Sequence, residues 1–301
     1  MTPADKLLGV AFAVLAAVGF SAKAILIKLA YLDSPDAITM LALRMGFSLP
    51  FFIGIAVWAR RNQPEPLDAH DRMLVLALGL IGYYLSSFLD FLGLQYISAG
   101  LERLILFLYP TITVVLSGLV YKRPIGPRVV AAMLLCYLGI GLVFLHNAEL
   151  NQEHIVLGSA LVFGGTLSYS IYLVGAGHAI ARIGTTRFTA YAMVVASVAS
   201  FLQFAIMRPL SALRLPLHVY QLAVEMALFS TVLPVFLLSY AIRRIGSGSA
   251  SLIGSIGPIS TIYMAHVFLA ESISLMQMVG SGLVLVGVIM VSVTANRATV
   301  G

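Results

Sequence analysis

Charge is what this chain has least of. Asp, Glu, Lys and Arg make up 10% of its 301 residues, against roughly 25% in an ordinary globular domain. A chain so poor in charge cannot cover itself with a solvated surface, so a water-soluble domain is excluded. Cysteine is scarcer still. Cys136 stands alone, which excludes an intramolecular disulfide and leaves no thiolate cluster for a metal. The histidines (His70, His146, His154, His178, His218 and His266) show none of the spacings of a zinc site. There is no Walker sequence, no Gly-rich dinucleotide fingerprint and no nucleophile elbow. Gly246-Ser247-Gly248-Ser249 lacks the Lys that would make it a phosphate loop. No catalytic residue and no cofactor is expected.

What the chain has instead is apolar length. Apolar residues are 60% of the total, and they gather into ten stretches, at about 7–30, 36–59, 72–94, 99–121, 127–146, 155–174, 187–207, 218–240, 246–268 and 275–295. Each is about 20 residues, the length a helix needs to cross about 30 Å of hydrocarbon. Their Leu, Ala, Val, Gly and Ile lack the strict alternation of barrel strands. The expected fold is all-α, a polytopic membrane protein with ten transmembrane helices. The first stretch is too long for a signal-peptide core of about 7–15 residues.

The net charge of +6 is a matter of topology. With a cytoplasmic N-terminus, Lys6, Arg60, Arg61, Arg72, Lys122, Arg123, Arg128, Arg182, Arg187, Arg243, Arg244 and Arg297 fall on the inner side. Only Arg208 and Arg214 fall outside. That bias places both termini in the cytoplasm of a bacterial-type inner membrane and removes the case for nucleic acid as a partner.

The chain also repeats itself. Tyr96-Ile97-Ser98-Ala99 leads through Tyr109-Pro110 to Gly139. Shifted by 148 residues, Arg244-Ile245-Gly246-Ser247 leads through Gly257-Pro258 to Gly287. The earlier helices match at an offset nearer 149, Phe20 on Tyr169 and Ser21 on Ser170. A repeat of this length in an apolar chain marks a transporter built from related halves. The division is residues 1–146, a polar extracytoplasmic linker at 147–154, and residues 155–301. Five crossings per half force the second copy into the membrane inverted.

The duplicated turn, the prolines Pro110 and Pro258, the Gly-rich fifth helix of each half and Leu269-Ala270-Glu271 together resemble the EamA-type members of the drug/metabolite transporter superfamily. In the first half the corresponding turn reads Tyr121-Lys122-Arg123-Pro124 and lacks the Glu. The resemblance implies a secondary carrier, with export favoured, whose third, fourth, eighth and ninth helices and parts of the first and sixth surround a central cavity. It implies substrates such as amino acids, other metabolites and drug-like compounds.

Charge inside a membrane costs at least about 2.5–3.5 kcal/mol per group on insertion scales, so each instance needs a reason. The first half holds Lys23, Lys28, Arg44, Asp90, Glu102 and Arg103. Counting 1.5 Å per residue puts Lys23 and Arg44 roughly 10–12 Å below the outer boundary and the others roughly 3–6 Å below it. All six fall in the outer half, where one network around a vestibule is expected. Lys28 reads as a snorkelling anchor, and Arg103 as an anchor or a partner of Asp90. Arg44 and Lys23 read as structural ion pairs or as clamps for a substrate carboxylate or phosphate. Asp90 and Glu102, with Glu225 in the eighth helix, are the candidates for proton coupling, because desolvation favours the neutral carboxyl.

Helical spacing gives these charges company. Tyr83, Ser87 and Asp90 share one face of the third helix, and Glu102, Tyr109 and Thr113 one face of the fourth. Ser247, Ser251 and Ser255 form a hydroxyl stripe on the ninth, for which close helix packing is the competing reading. Tyr169 and Tyr172 add aromatic surface on the sixth, unless they belong to an interfacial belt. Pro110 and Pro258 are candidate gating kinks. The reading as a whole is a secondary transporter of a small metabolite such as an amino acid, working by alternating access with a proton or counter-solute as coupling partner. A lipid or lipid-intermediate flippase and a membrane-embedded enzyme are the alternatives.

Overall fold

Inside lipid no water is available to the backbone, so each crossing segment must satisfy its own N–H and C=O groups. This chain does so as helix, and no strand occurs among the described residues. The computed structural model describes residues 3–33, 35–62, 65–122, 126–149, 154–254 and 256–298. Within these it omits the side chains of 3, 4, 146–149, 239, 243, 246–249, 251, 252 and 291–298.

The α-helices are α1 (Pro3–Tyr31), α2 (Ala37–Asn62), α3 (Ala69–Leu78), α4 (Ser86–Gly93), α5 (Ala99–Leu106), α6 (Tyr109–Val120) and α7 (Pro127–Glu149). They continue as α8 (Ile155–Ile183), α9 (Thr185–Met207), α10 (Leu217–Ala227), α11 (Leu233–Gly254), α12 (Gly257–Leu269) and α13 (Leu275–Ala298). Among the described residues eight helical stretches are long and apolar enough to cross a membrane, against the ten expected from the sequence, and Leu275–Met290 is a shorter apolar helix. Large apolar side chains such as Leu7, Trp58, Leu138 and Phe268 stand exposed on the outside, while Ser21, Thr39, Arg44, Asp90 and Glu102 are buried inside. That is the arrangement expected of a surface solvated by lipid.

Two of the expected membrane helices are divided by π-helical turns. Gly79–Leu85 joins α3 to α4, and Leu228–Val232 joins α10 to α11. At Pro110 and Pro258 the helices break outright. Pro110 lies in the first turn of α6 and Pro258 in the first turn of α12, where a missing N–H costs nothing because that donor has no helical partner. The chain stops at Phe107-Leu108 and restarts, so the expected kink is a junction between two helices.

The packing repeats at the offsets seen in the sequence. Gly9 of α1 lies against Arg244 and Ile245, and Gly158 of α8 lies against Tyr96 and Ile97. The Ser21 hydroxyl reaches the Gly257 carbonyl at 2.9 Å, and the Ser170 hydroxyl reaches that of Tyr109 at 3.3 Å. Gly19 packs on the Phe229 carbonyl, while Ser168 donates to that of Ile81. Phe229 and Gly257 therefore both sit beside residues 19–21, so the chain reverses between them even though helical backbone continues to Gly254. The contact with Gly9 puts that reversal near Ile245. Lys122 and Ala270, 148 residues apart, both adopt the left-handed conformation (φ 51° and 54°).

α7 and α13 pack directly on each other. Gly139 meets the Gly280 backbone, the Cys136 thiol reaches the Val284 carbonyl at 3.6 Å, and Gly287 meets the Ala132 carbonyl. As one number rises the other falls, so the two helices run antiparallel. A methyl group on Gly139 or Gly280 would collide with the other's carbonyl oxygen, so the contact requires glycine on both sides.

Candidate functional site

The backbone exchanges just described put the first helix of each half against the other half, and a cavity of about 390 Å³ opens between them. It draws its walls from α1, α2, α4 to α6, α8, α9 and α11 and from both π-helical turns. Lys23, Arg44, Tyr83, Ser87, Asp90, Tyr109 and Tyr169, all singled out in the sequence, line it, together with Arg103.

Lys23 is the centre of the charged group. Its Nζ donates to Asp90 Oδ2 at 2.6 Å and lies 3.5 Å from Glu102 Oε1. Both carboxylates thus converge on one ammonium. Glu102 is fully buried, and neither of its oxygens, nor Asp90 Oδ1, accepts a hydrogen bond. Asp90 is therefore paired with Lys23 rather than with Arg103.

The two guanidiniums are held differently. Arg44 is 8% exposed. Its Nε donates to Thr231 Oγ1 at 3.0 Å, its Nη1 lies 3.5 Å from Ser87 Oγ, and its charge sits 5.4 Å from the centre of the Phe91 ring. Arg103 Nη2 reaches the Ser21 hydroxyl at 3.4 Å, its Nε is buried without a partner, and its charge lies 5.6 Å from the Phe107 ring centre. Neither has a carboxylate within 4 Å among the described residues.

Aromatic rings form the adjoining wall. The Tyr172 hydroxyl donates to that of Tyr83 at 2.9 Å. Tyr169 stands edge-on to Tyr109 at 5.6 Å and stacks on Tyr172 at 5.6 Å. Gly82 makes room for this, because a methyl group there would enter the Tyr172 ring. The opposite end is aliphatic, with Ala13, Ala16, Val235, Leu238, Ile242 and Ala250.

Other residues fall outside the lining. Glu102 and Tyr172 stand one layer behind it, and Thr113 lies beyond it with its hydroxyl buried and unpartnered. Glu225 is exposed on α10, and Lys28 does not reach the cavity. Ser255 and the side chain of Ser251 lie outside the described residues. The sequence reading missed Thr231, Ser230, Thr189 and Phe107. A signal for Thr231 existed, since it stands 148 residues after Tyr83 and both belong to π-helical turns. Glu271 of the Leu269-Ala270-Glu271 turn takes another post: its carboxylate accepts from the Ala99 and Gly100 amides at 3.0 and 3.4 Å, at the positive end of α5. Among the described residues no three His, Cys, Asp or Glu gather closely enough to hold a metal ion.

Two blocks, residues 7–145 and 156–293, match the EamA-like transporter family. The chain belongs to that family. It is 31% identical over 281 residues to the uncharacterized transporter YcbK of Bacillus subtilis (strain 168), a match spanning 91% of this chain and 89% of YcbK. The uncharacterized transporter YyaM of the same organism is 27% identical over 72% of each chain. An uncharacterized transporter of Archaeoglobus fulgidus is 26% identical over 86% of this chain and 88% of its own. One crystal structure is similar across 99% of both chains, with a TM-score of 0.63 and 17% identity, a likeness of fold alone. The EamA-like chain is thus a multi-pass membrane protein of a transporter family within the drug/metabolite transporter superfamily.

Proposed function

We propose that this protein is a secondary carrier that moves a small organic metabolite, such as an amino acid or a related solute, outward across the inner membrane by alternating access. Its two halves are five-helix units of opposite orientation, with both chain ends in the cytoplasm. The single observation that carries the reading is the cavity, which is walled by both halves and holds buried charge that no structural pairing uses up. The antiparallel contact of α7 with α13, helices that occupy the same place in each half, supports inverted halves. The junctions at Pro110 and Pro258 adjoin the cavity walls and give each half a joint about which α6 and α12 can swing.

Coupling is assigned to the carboxylates around Lys23. With Glu102 neutral, Lys23 belongs to Asp90 alone. With Glu102 charged, one ammonium is shared by two anions in an apolar setting, a costly arrangement that a neighbouring cationic group would relieve. Proton movement at Glu102 changes in this way how firmly α4 and α5 hold α1, the helix that packs against the second half. Proteoliposomes preloaded with solute test the carrier reading. Saturable uptake of labelled solute by counterflow, reduced in Lys23→Ala and Arg44→Ala, is expected, whereas linear flux without counterflow would describe a channel and contradict it.

A further inference from the structure

The cavity has matched backbone and unmatched polarity. At the offsets along which the packing repeats, Arg44 corresponds to Met193, Asp90 to Leu238 and Glu102 to Ala250. The first pair is anchored by the buried serines that follow: Ser48 bonds back to the Arg44 carbonyl at 2.8 Å and Ser197 to the Met193 carbonyl at 2.9 Å. Arg44, Met193, Asp90, Leu238 and Ala250 all line the cavity. Among the described residues every ionised group in its wall comes from the first half. At the positions matching Arg44, Asp90 and Glu102 the second half has only apolar side chains, its polar contribution being the neutral hydroxyls of Thr166, Tyr169, Thr189, Ser230 and Thr231.

The ionised end is also unbalanced. Lys23, Arg44 and Arg103 stand against Asp90 and Glu102, and both carboxylates are already drawn to Lys23. Two guanidiniums are left facing the space with, among the described residues, hydroxyls and ring faces as their partners. A guanidinium in an apolar site is stabilised by an anion that can take two of its N–H groups at once.

We infer that the ligand of this cavity is a monoanionic amphipath, an organic carboxylate joined to an apolar or aromatic body, which narrows the solute proposed above to the related organic acids and sets aside the zwitterionic amino acids. Its head would sit between Arg44 and Arg103 and its body against the aromatic wall and the Leu238–Ile242 end. A zwitterionic amino acid brings an ammonium that needs a free carboxylate. Asp90 Oδ2 is held by Lys23 at 2.6 Å and its unpartnered Oδ1 is buried out of contact, and Glu102 is not part of the lining. The ammonium would enter unpaired beside three cations and lose its hydration for nothing. This inference rests on the carrier reading for its biological meaning, and on the cavity alone for its chemistry.

Three probes with one apolar body separate the cases: 3-phenylpropionate, phenylalanine and 2-phenylethylamine. Thermal unfolding of the detergent-purified full chain is followed against the concentration of each, since a ligand of the folded state raises the melting temperature. 3-Phenylpropionate is expected to bind about tenfold or more tightly than either of the others, with Arg44→Gln and Arg103→Gln weakening it about tenfold to a hundredfold. Should Arg44→Gln fail to fold, Arg103→Gln and the probe series on the native chain still decide the matter. Phenylalanine binding as well as or better than 3-phenylpropionate would overturn the inference, as would arginine variants that leave carboxylate binding unchanged. Counterflow run beside it keeps the two readings apart. Saturable exchange of phenylalanine but not of the carboxylate sinks the inference and leaves the carrier standing. Arginine-dependent carboxylate binding without any counterflow supports the inference and sinks the carrier.

Discussion

Lys23 carries more of the interior than any other side chain, because two buried carboxylates depend on one ammonium. Lys23→Met strands both, and breaking a buried pair from one side costs about 3–5 kcal/mol. Asp90→Asn leaves Lys23 with Glu102 and is expected to cost less; unfolding in detergent against denaturant measures the order. Asp36, just before α2, behaves differently. It accepts the Ile38 and Thr39 amides and the Thr39 hydroxyl, and pairs with Arg208 at 3.0 Å. Burial by itself would raise its carboxyl, but the Thr39 hydrogen bonds and the Arg208 guanidinium outweigh that and hold it below the ordinary carboxylate range. A depressed carboxyl stabilises the fold above its unfolded value of about 3.9 and loses that contribution as pH falls through the lower folded value. Asp36→Ala is expected to cost about 1 kcal/mol at neutral pH, as for other lost caps. The gap from native should close as the pH is taken below about 4 and through the lower folded value. The intramembrane charges themselves were plain in the sequence, since each breaks a long apolar run. Their pairing was not. Depth counting set Lys23 well below Asp90, yet they touch at 2.6 Å, because residue counts treat every helix as upright and real membrane helices tilt.

At the scale of elements, the apolar stretches were legible and so were the places where proline interrupts them, although the interruptions were read as kinks and are junctions; the π-helical turns were not. Gly79–Leu85 and Leu228–Val232 have no shared residue pattern, since a π-turn arises when packing forces an extra residue into a turn. They matter to the site because they deliver Tyr83 and Thr231 into it. Pro110→Ala restores a backbone donor and favours a helix running straight from α5 into α6. Turnover is expected to fall while half-saturation stays nearly constant, as measured in initial-rate uptake. In the α7–α13 contact, Gly280→Leu drives a branched side chain into the Gly139 backbone. Overpacking of this kind costs about 1–3 kcal/mol, occasionally more, and should lower the melting temperature. Gly141→Leu, with open space at its Cβ position, should not.

The whole molecule is one motif used twice and made unequal by a few charges. The repeat was readable because its marker residues, the prolines and glycines, are fixed by backbone geometry, which duplication preserves. What the cavity discriminates was only partly readable, because Arg44 and its partners, namely Thr231, Ser87 and Phe91, come together from three separate elements. Everything about the carrier account depends on the halves facing opposite ways while sharing that cavity. Lys122 and Ala270 are the most direct probes of this, being exposed turn residues 148 positions apart with the same left-handed backbone. In a background with Cys136 replaced by Ala, Lys122→Cys and Ala270→Cys are each treated with a membrane-impermeant maleimide on intact cells and again after permeabilisation. The account predicts that Ala270→Cys is labelled from outside and that Lys122→Cys reacts only once the membrane is opened. Labelling of both from the same side would contradict it.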